Sequence, residues 1–352
     1  MLGVVFVIAI AAASILPLGG GQMKPYLNED GQVLEGSISE RVYLEIDDAR
    51  LGMIIQAKDE TAPVIMFLGG GPGFPSFFME SLFPTELSSH FVMCYPDYRG
   101  TGLSYSSDIN PEEMTTERYL DDIYAFTQYL CERFDQEKIY IMGHSFGTGM
   151  AIQSVARNPE LYHAYIAVSQ VTDVVSQEII AFEYMREQFV QQGDDRMVKK
   201  MDVYSFLDSD ASYMSYVASS LRDNAMHALG VGTTRDMNNV ITGIFMPSLR
   251  FSTYSQIERV NIWRAKILSK QFPVFVENFY FNAFEVVSEV EIPVYFFVGK
   301  YDYICSSSEQ LRYYEYLQAP IKNVYMFESS AHSPLYEEPD RALSILLDII
   351  TY

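Results

Sequence analysis

A short apolar run, Ile139-Tyr140-Ile141-Met142, ends in Gly143-His144-Ser145-Phe146-Gly147, and a helix-like stretch over residues 148–157 follows at once. Strand, sharp turn and helix with a serine at the apex is the context of a nucleophile elbow. The flanking glycines let the backbone take a strained turn and let strand and helix approach closely. The helix N-terminus behind Ser145 favours developing negative charge. A chain organised this way needs three further parts: a base, an acid and an oxyanion hole.

The rest of the sequence offers a scaffold for them. Residues 42–46 and 53–56 alternate in hydropathy and predict a hairpin leading into a sheet. Residues 64–68 form a continuously apolar run, as expected of a strand covered on both faces. Runs at 91–95, 139–142, 164–169, 294–298 and 323–327 behave alike. Helical patterns at 116–134, 148–157, 307–317 and 341–350 separate most of them, which predicts an α/β fold with a mainly parallel sheet flanked by helices. The alternation stops over residues 174–290, a helix-like stretch rich in Met, Tyr and Phe that contains the break Gly230-Val231-Gly232-Thr233-Thr234. We read it as an inserted helical cap. The expected organisation is an N-terminal hydrophobic segment (1–22), a first part of the core (23–173), the cap (174–290) and a second part of the core (291–352).

The formal net charge of -22 disfavours nucleic acid and anionic membrane surfaces as ligands. Three cysteines, Cys94, Cys131 and Cys305, make no disulfide framework, and neither CxxC nor HExxH occurs, so no metal or cofactor is expected. Residues 2–18 are uncharged and almost wholly apolar. As a helix they span roughly 26 Å, marginal for a bilayer core. A secretory signal is the competing reading, with Ala9-Ile10-Ala11 as a cleavage site. Both readings expect basic residues ahead of the run, and the chain as given has none. Either one predicts a membrane-anchored or secreted protein with its catalytic domain outside the cytoplasm. A cytoplasmic location is the alternative.

A serine hydroxyl is a poor nucleophile until a base takes its proton. His332 lies in Glu328-Ser329-Ser330-Ala331-His332-Ser333-Pro334, a loop after an apolar run and before the last helical pattern, and is the best-placed base. His90, His163 and His227 read as surface or packing residues, and His144 as a neighbour that orients the elbow. Asp302 follows residues 294–298 through Gly299-Lys300-Tyr301 and is the favoured acid, with Asp173 as its rival. Gly69-Gly70-Gly71-Pro72-Gly73 follows a buried strand, and consecutive glycines let amides close in on an oxyanion. Gly71 and Phe146, the residue after the nucleophile, are the expected N–H donors. In Asp97-Tyr98-Arg99-Gly100-Thr101-Gly102-Leu103-Ser104 the glycines and the Asp97–Arg99 pair read as a rigid supporting loop fixed by charge-assisted hydrogen bonds.

In this order, GGGPG, DYRGTGLS, GHSFG, GKYD and SAHSP resemble the α/β-hydrolase superfamily, especially the proline-iminopeptidase-like serine peptidases. The resemblance covers roughly residues 46–352. It implies Ser145 as nucleophile, Asp302 as acid, His332 as base and Gly71 with Phe146 as oxyanion donors. Three places depart from the group's HGGPG, DQRG and Gly-Ser-Trp patterns: Gly69 for histidine, Tyr98 for glutamine, and His144-Ser145-Phe146 at the elbow. The group's aminopeptidases are expected to hold a substrate ammonium with cap carboxylates. Glu178, Glu183 and Glu187 are available, and a solvated helix face explains them equally well. Phe182, Tyr184, Phe189, Phe245 and Trp263 are candidates for a pocket wall or for packing. The expected activity is therefore acyl-enzyme hydrolysis of small molecules or short peptides, as an aminopeptidase. The alternatives are an esterase or lipase-like hydrolase and a non-catalytic binding protein.

Overall fold

The computed structural model of the chain describes residues 20–71, 73–204 and 209–350. Residues 1–19, which hold the expected anchor or signal, lie outside the described residues. Among the described residues, no helix is long and apolar enough to cross a membrane.

Eight strands form one sheet: β1 (Ile38–Ile46), β2 (Ala49–Ala57), β3 (Val64–Leu68), β4 (Val92–Pro96), β5 (Ile139–His144), β6 (Tyr162–Val168), β7 (Val294–Gly299) and β8 (Lys322–Phe327), in the spatial order β1-β2-β4-β3-β5-β6-β7-β8. The β1–β2 hairpin pairs antiparallel from Ile38↔Ala57 to Ile46↔Ala49, and β2 pairs antiparallel with β4. All other pairings are parallel.

Every residue of β3 is buried, and its side chains alternate between two cores. Val64, Met66 and Leu68 join one cluster, Ile65 and Phe67 the other. Filling such a side chain's site contributes about 1.5–3 kcal/mol, so covering both faces is what makes a five-residue run a strand. Helices α1 (Thr116–Arg133) and α2 (Phe146–Arg157) cover the first face through Phe126, Leu130, Ile152 and Val155.

Between β6 and β7 lie α3 (Val174–Gln192), α4 (Asp195–Met201), α5 (Asp210–Val217), α6 (Ser220–Ala228) and α7 (Gln256–Leu268). A π-helical turn, Ile241–Phe245, precedes α7. Phe182, Met185, Phe189, Tyr216 and Met226 give the first of these helices a core of their own. Phe272, Phe275, Ala283 and Val290, by contrast, pack into the cluster under the sheet. Helices α8 (Ser307–Tyr316) and α9 (Pro339–Ile350) complete the fold. Leu346 and Ile350 of α9 close the second face.

Candidate active site

Ser145 stands between the last residue of β5 and the first of α2, with φ +55° and ψ -124°. A non-glycine residue at such angles costs on the order of 1–3 kcal/mol and persists only where its surroundings hold it. Here the Ser145 amide donates to the Val168 carbonyl (3.1 Å), and its carbonyl accepts from the Thr148 amide (2.8 Å) and hydroxyl (2.6 Å). The flanking glycines are there for space. A Cβ on Gly143 would stand 2.7 Å from the Gly147 carbonyl oxygen, and one on Gly147 would overlap the Leu68 carbonyl.

His332 and Asp302 come together. The His332 Nδ1 lies 3.1 Å from both carboxylate oxygens of Asp302, and both residues are buried. Asp302 also accepts from the amides of Ile304 (3.0 Å) and Cys305 (2.9 Å) and from Gln310 Nε2 (3.1 Å) on α8. Those donors fix the carboxylate's orientation toward the imidazole. With Nδ1 against a carboxylate, the tautomer that suits the pair leaves the Nε2 lone pair free. Asp173, the rival acid, caps α3 instead, accepting from the Ser176 amide (3.1 Å) and hydroxyl (2.7 Å).

Ser145 and His332 line one cavity of about 400 Å³, together with Gly70, Gly71 and Phe146. The glycine loop runs against the serine: a Cβ on Gly70 would come within 2.9 Å of the Ser145 Cβ. Gly71 has φ +116°, and its carbonyl accepts from Lys266 Nζ of α7 (2.7 Å). Burial pushes the Lys266 ammonium down to about 8. Phe146 opens α2, so its amide has no carbonyl four residues back to bond. Among the described residues, no group of three His, Cys, Asp or Glu side chains is arranged to hold a metal ion.

The three departures from the family motifs meet at one place. The Tyr98 hydroxyl donates to the Gly69 carbonyl (3.2 Å), while its ring packs edge-on against Phe146 at 5.4 Å. A Cβ on Gly69 would come within 2.8 Å of the Ser76 Cα, so no larger residue fits there without moving that backbone. The Asp97 loop is rigid, but by partners other than a mutual Asp–Arg pair. Asp97 accepts from the amides of Ser76 (2.9 Å) and Leu103 (2.8 Å) and from the Tyr254 hydroxyl. Arg99 forks onto Asp122 of α1, at 2.9 and 2.6 Å.

His144 does more than flank the serine. Its Nε2–H donates to the His332 carbonyl (2.8 Å), which also accepts from the Ser169 hydroxyl (3.0 Å). Burial pushes His144 down to about 4, so the ring stays neutral. Sequence reasoning missed Thr148, Ser169 and Gln310, because nothing local distinguishes a buttress from any other polar residue. It also missed that Cys305, whose thiol burial pushes well above its ordinary value, lines the same cavity as Ser145.

The three carboxylates of α3 separate. Glu178 is buried, lines the cavity and is held by the Arg222 guanidinium through Nε (2.8 Å) and Nη2, whereas Glu183 and Glu187 are exposed. Five positions turn a helix by roughly 140° past one revolution, so Glu178 and Glu183 cannot share a face. Among the aromatics, Trp263 lines the cavity and Phe245 packs on it at 4.7 Å. Phe182 and Phe189 fill the helical core, and Tyr184 stacks on Tyr303 at 3.9 Å.

Comparison with known proteins agrees with this architecture. The probable aminopeptidase YbaC of Bacillus subtilis (strain 168) is 29% identical over 305 residues, covering 84% of this chain and 91% of that protein. The proline iminopeptidase of Mycobacterium smegmatis superposes with a TM-score of 0.65 at 13% identity, over 89% of this chain and 98% of that one. VinJ superposes with a TM-score of 0.64 at 15% identity, over the same shares of the two chains. At such identities the structural likeness speaks for the fold alone. Residues 63–339 match the family described as alpha/beta hydrolase fold, and the chain belongs to that family.

Proposed function

We propose that the protein is a serine hydrolase that cleaves the amide bond next to the free N-terminus of short peptides through an acyl-enzyme. The observation that carries this reading is the buried Asp302–His332 pair facing the cavity into which the strained Ser145 turn opens. In this mechanism His332 Nε2 takes the Ser145 hydroxyl proton as Oγ attacks the substrate carbonyl. Asp302 holds Nδ1–H and stabilises the imidazolium. The amides of Gly71 and Phe146 receive the oxyanion. Collapse expels the amine, which leaves with the proton from His332. Water then repeats the sequence on the ester, returning Ser145 and the free acid. The likeness to the probable aminopeptidase YbaC of B. subtilis supports a peptide substrate.

One observation favours a second reading, a hydrolase of small acyl esters. Glu178, the buried carboxylate of the cavity, is already occupied by Arg222, which weakens its claim on a substrate ammonium. Comparing kcat/KM for prolyl and other aminoacyl amides with that for short-chain aryl esters decides between them. Amides left uncut beside rapidly cut esters would remove the peptidase reading. In either case a fluorophosphonate should label Ser145, and labelling that persists in Ser145→Ala would sink the nucleophile assignment. For residues 1–18 we propose export or membrane attachment, tested by whether the chain partitions with membranes only while they are present.

A further inference from the structure

Residues 230–235, which follow α6, cross over both loops that carry the acid and the base. The Tyr303 amide donates to the Val231 carbonyl (3.4 Å), and the His332 amide to the Gly232 carbonyl (3.3 Å). The Arg235 guanidinium lies 3.6 Å above the ring of Tyr301. Glu337 then ties this strap to the base loop. One of its carboxylate oxygens accepts from the Arg235 amide (2.6 Å), the other from the amides of Ala331 (2.9 Å) and Ser333 (3.2 Å), the two neighbours of His332. Burial pushes the Glu337 carboxyl upward, and these three amides hold it down. Its neighbour Glu338 serves only the near end of the loop, accepting from the Ser329 amide and the Ser330 hydroxyl.

A carboxylate that spends both oxygens on backbone amides from segments about a hundred residues apart fixes one against the other. We propose that Glu337 is a positioning residue: it fastens the His332 loop to the 230–235 strap, so that the cap sets where the imidazole stands relative to Ser145. The proposal rests on the reading of Ser145 and His332 as nucleophile and base. Substrate need not touch Glu337. What the residue governs is the rate of attack once a carbonyl is bound.

The test uses the full chain with Glu337→Gln and Gly232→Ala, singly and together. A glutamine keeps one acceptor oxygen and turns an NH2 group toward the donors on the other side, so half of the bridge is lost. A Cβ on Gly232 would stand 3.1 Å from the His227 ring. That ring is held at Nδ1 by the Asp223 carbonyl (2.7 Å), so strap and ring must part by a few tenths of an ångström. Readouts are the rate of Ser145 labelling by a fluorophosphonate, and kcat and KM for p-nitrophenyl butyrate. Misplacement of a catalytic group by about 1 Å costs up to ~10² in rate, so E337Q should lose roughly ten- to a hundredfold in labelling and kcat, with KM nearly unchanged. The double variant should lose less than the product of the single losses, because both substitutions cut one link. Wild-type labelling in folded E337Q would overturn the proposal, as would fully multiplicative losses. Should E337Q fail to fold, G232A alone decides by the same split between kcat and KM. Absence of labelling in the unaltered protein would overturn instead the nucleophile reading beneath it.

Discussion

Two glycines of α2, two positions apart, should answer in opposite directions to the same substitution. In Gly147→Ala the new methyl would overlap the Leu68 carbonyl oxygen, lie 2.6 Å from its carbon and 2.8 Å from the Gly69 oxygen. Non-bonded carbons are comfortable near 3.5–4.0 Å, so α2 must withdraw from β3 by roughly 1 Å. None of the three atoms belongs to a side chain that could swing aside. The displacement carries Ser145 and the Phe146 amide with it, and a shift of that size costs on the order of 10² in turnover. Overpacking adds about 1–3 kcal/mol of destabilisation. In Gly149→Ala the methyl would meet only the Phe281 ring, at 3.7–3.9 Å, an ordinary contact. Alanine is worth up to about 1 kcal/mol over glycine inside a helix, so this variant should be the more stable protein. Thermal melting and fluorophosphonate labelling measure both effects. On a scale where 1 kcal/mol moves the midpoint by about 2–4 °C in a domain of this general size, the two midpoints should fall on opposite sides of the wild type. Wild-type labelling in Gly147→Ala, or a lowered midpoint in Gly149→Ala, would refute the steric account of the elbow.

Asp302→Asn should keep the fold and reduce labelling by as much as ~10⁴, since an amide no longer stabilises the imidazolium or fixes its tautomer; an unchanged rate would return attention to other acids. Tyr98→Phe removes the hydroxyl that holds the Gly69 carbonyl at 3.2 Å. It should cost about 1 kcal/mol in urea unfolding, with a fall in kcat that exceeds any change in KM. Glu80 supplies a pH test. It is 7% exposed, accepts from the Thr85 amide at 2.8 Å, and burial pushes its carboxyl from 4.5 to about 7. A carboxyl raised in the folded state stabilises below its unfolded value, and that contribution is lost as pH rises through the folded one. Glu80→Gln should therefore gain on the wild type by about 3 kcal/mol between pH 4.5 and 7.5. A difference that stays flat over that range, read by urea unfolding, would contradict it.

The strands were legible because burial on both faces leaves so little choice of residue. Val64-Ile65-Met66-Phe67-Leu68 reads as a strand before any partner is known, and β3 has those bounds. At the hairpin, β1 begins at Ile38, four residues before its alternation becomes visible. It is an edge strand, and half-exposed positions such as Ser39 and Arg41 admit polar side chains. Helix starts were harder: α2 begins at Phe146 and α9 at Pro339, ahead of the apolar periodicity that announced them, since a first turn needs no apolar face. Asp302 and His332 were singled out by order along the chain, and the structure brings their side chains together. Their supports were not, because Gln310, Ser169 and His144 act through contacts that close only in three dimensions. Glu178 shows the same limit. Its sequence neighbours made it one of three equivalent carboxylates, and only Arg222, 44 residues on, sets it apart.

The backbone of His332 is gripped by residues very far from it in sequence: His144 lies 188 positions earlier, Ser169 163 positions earlier. Contacts that span so much chain are the slowest to close, since the loop between them must first be gathered. During synthesis the elbow, the glycine loop and the helices after β6 all emerge before the segment that carries the imidazole. A chain cut short before the loop of residues 328–334 would present Ser145 without the imidazole. With Ser145 as nucleophile and His332 as base, as proposed above, hydrolytic competence is a late event in the life of the molecule, and its appearance during refolding would report completion of the sheet, which circular dichroism, summing over every helix and strand formed along the way, would not single out.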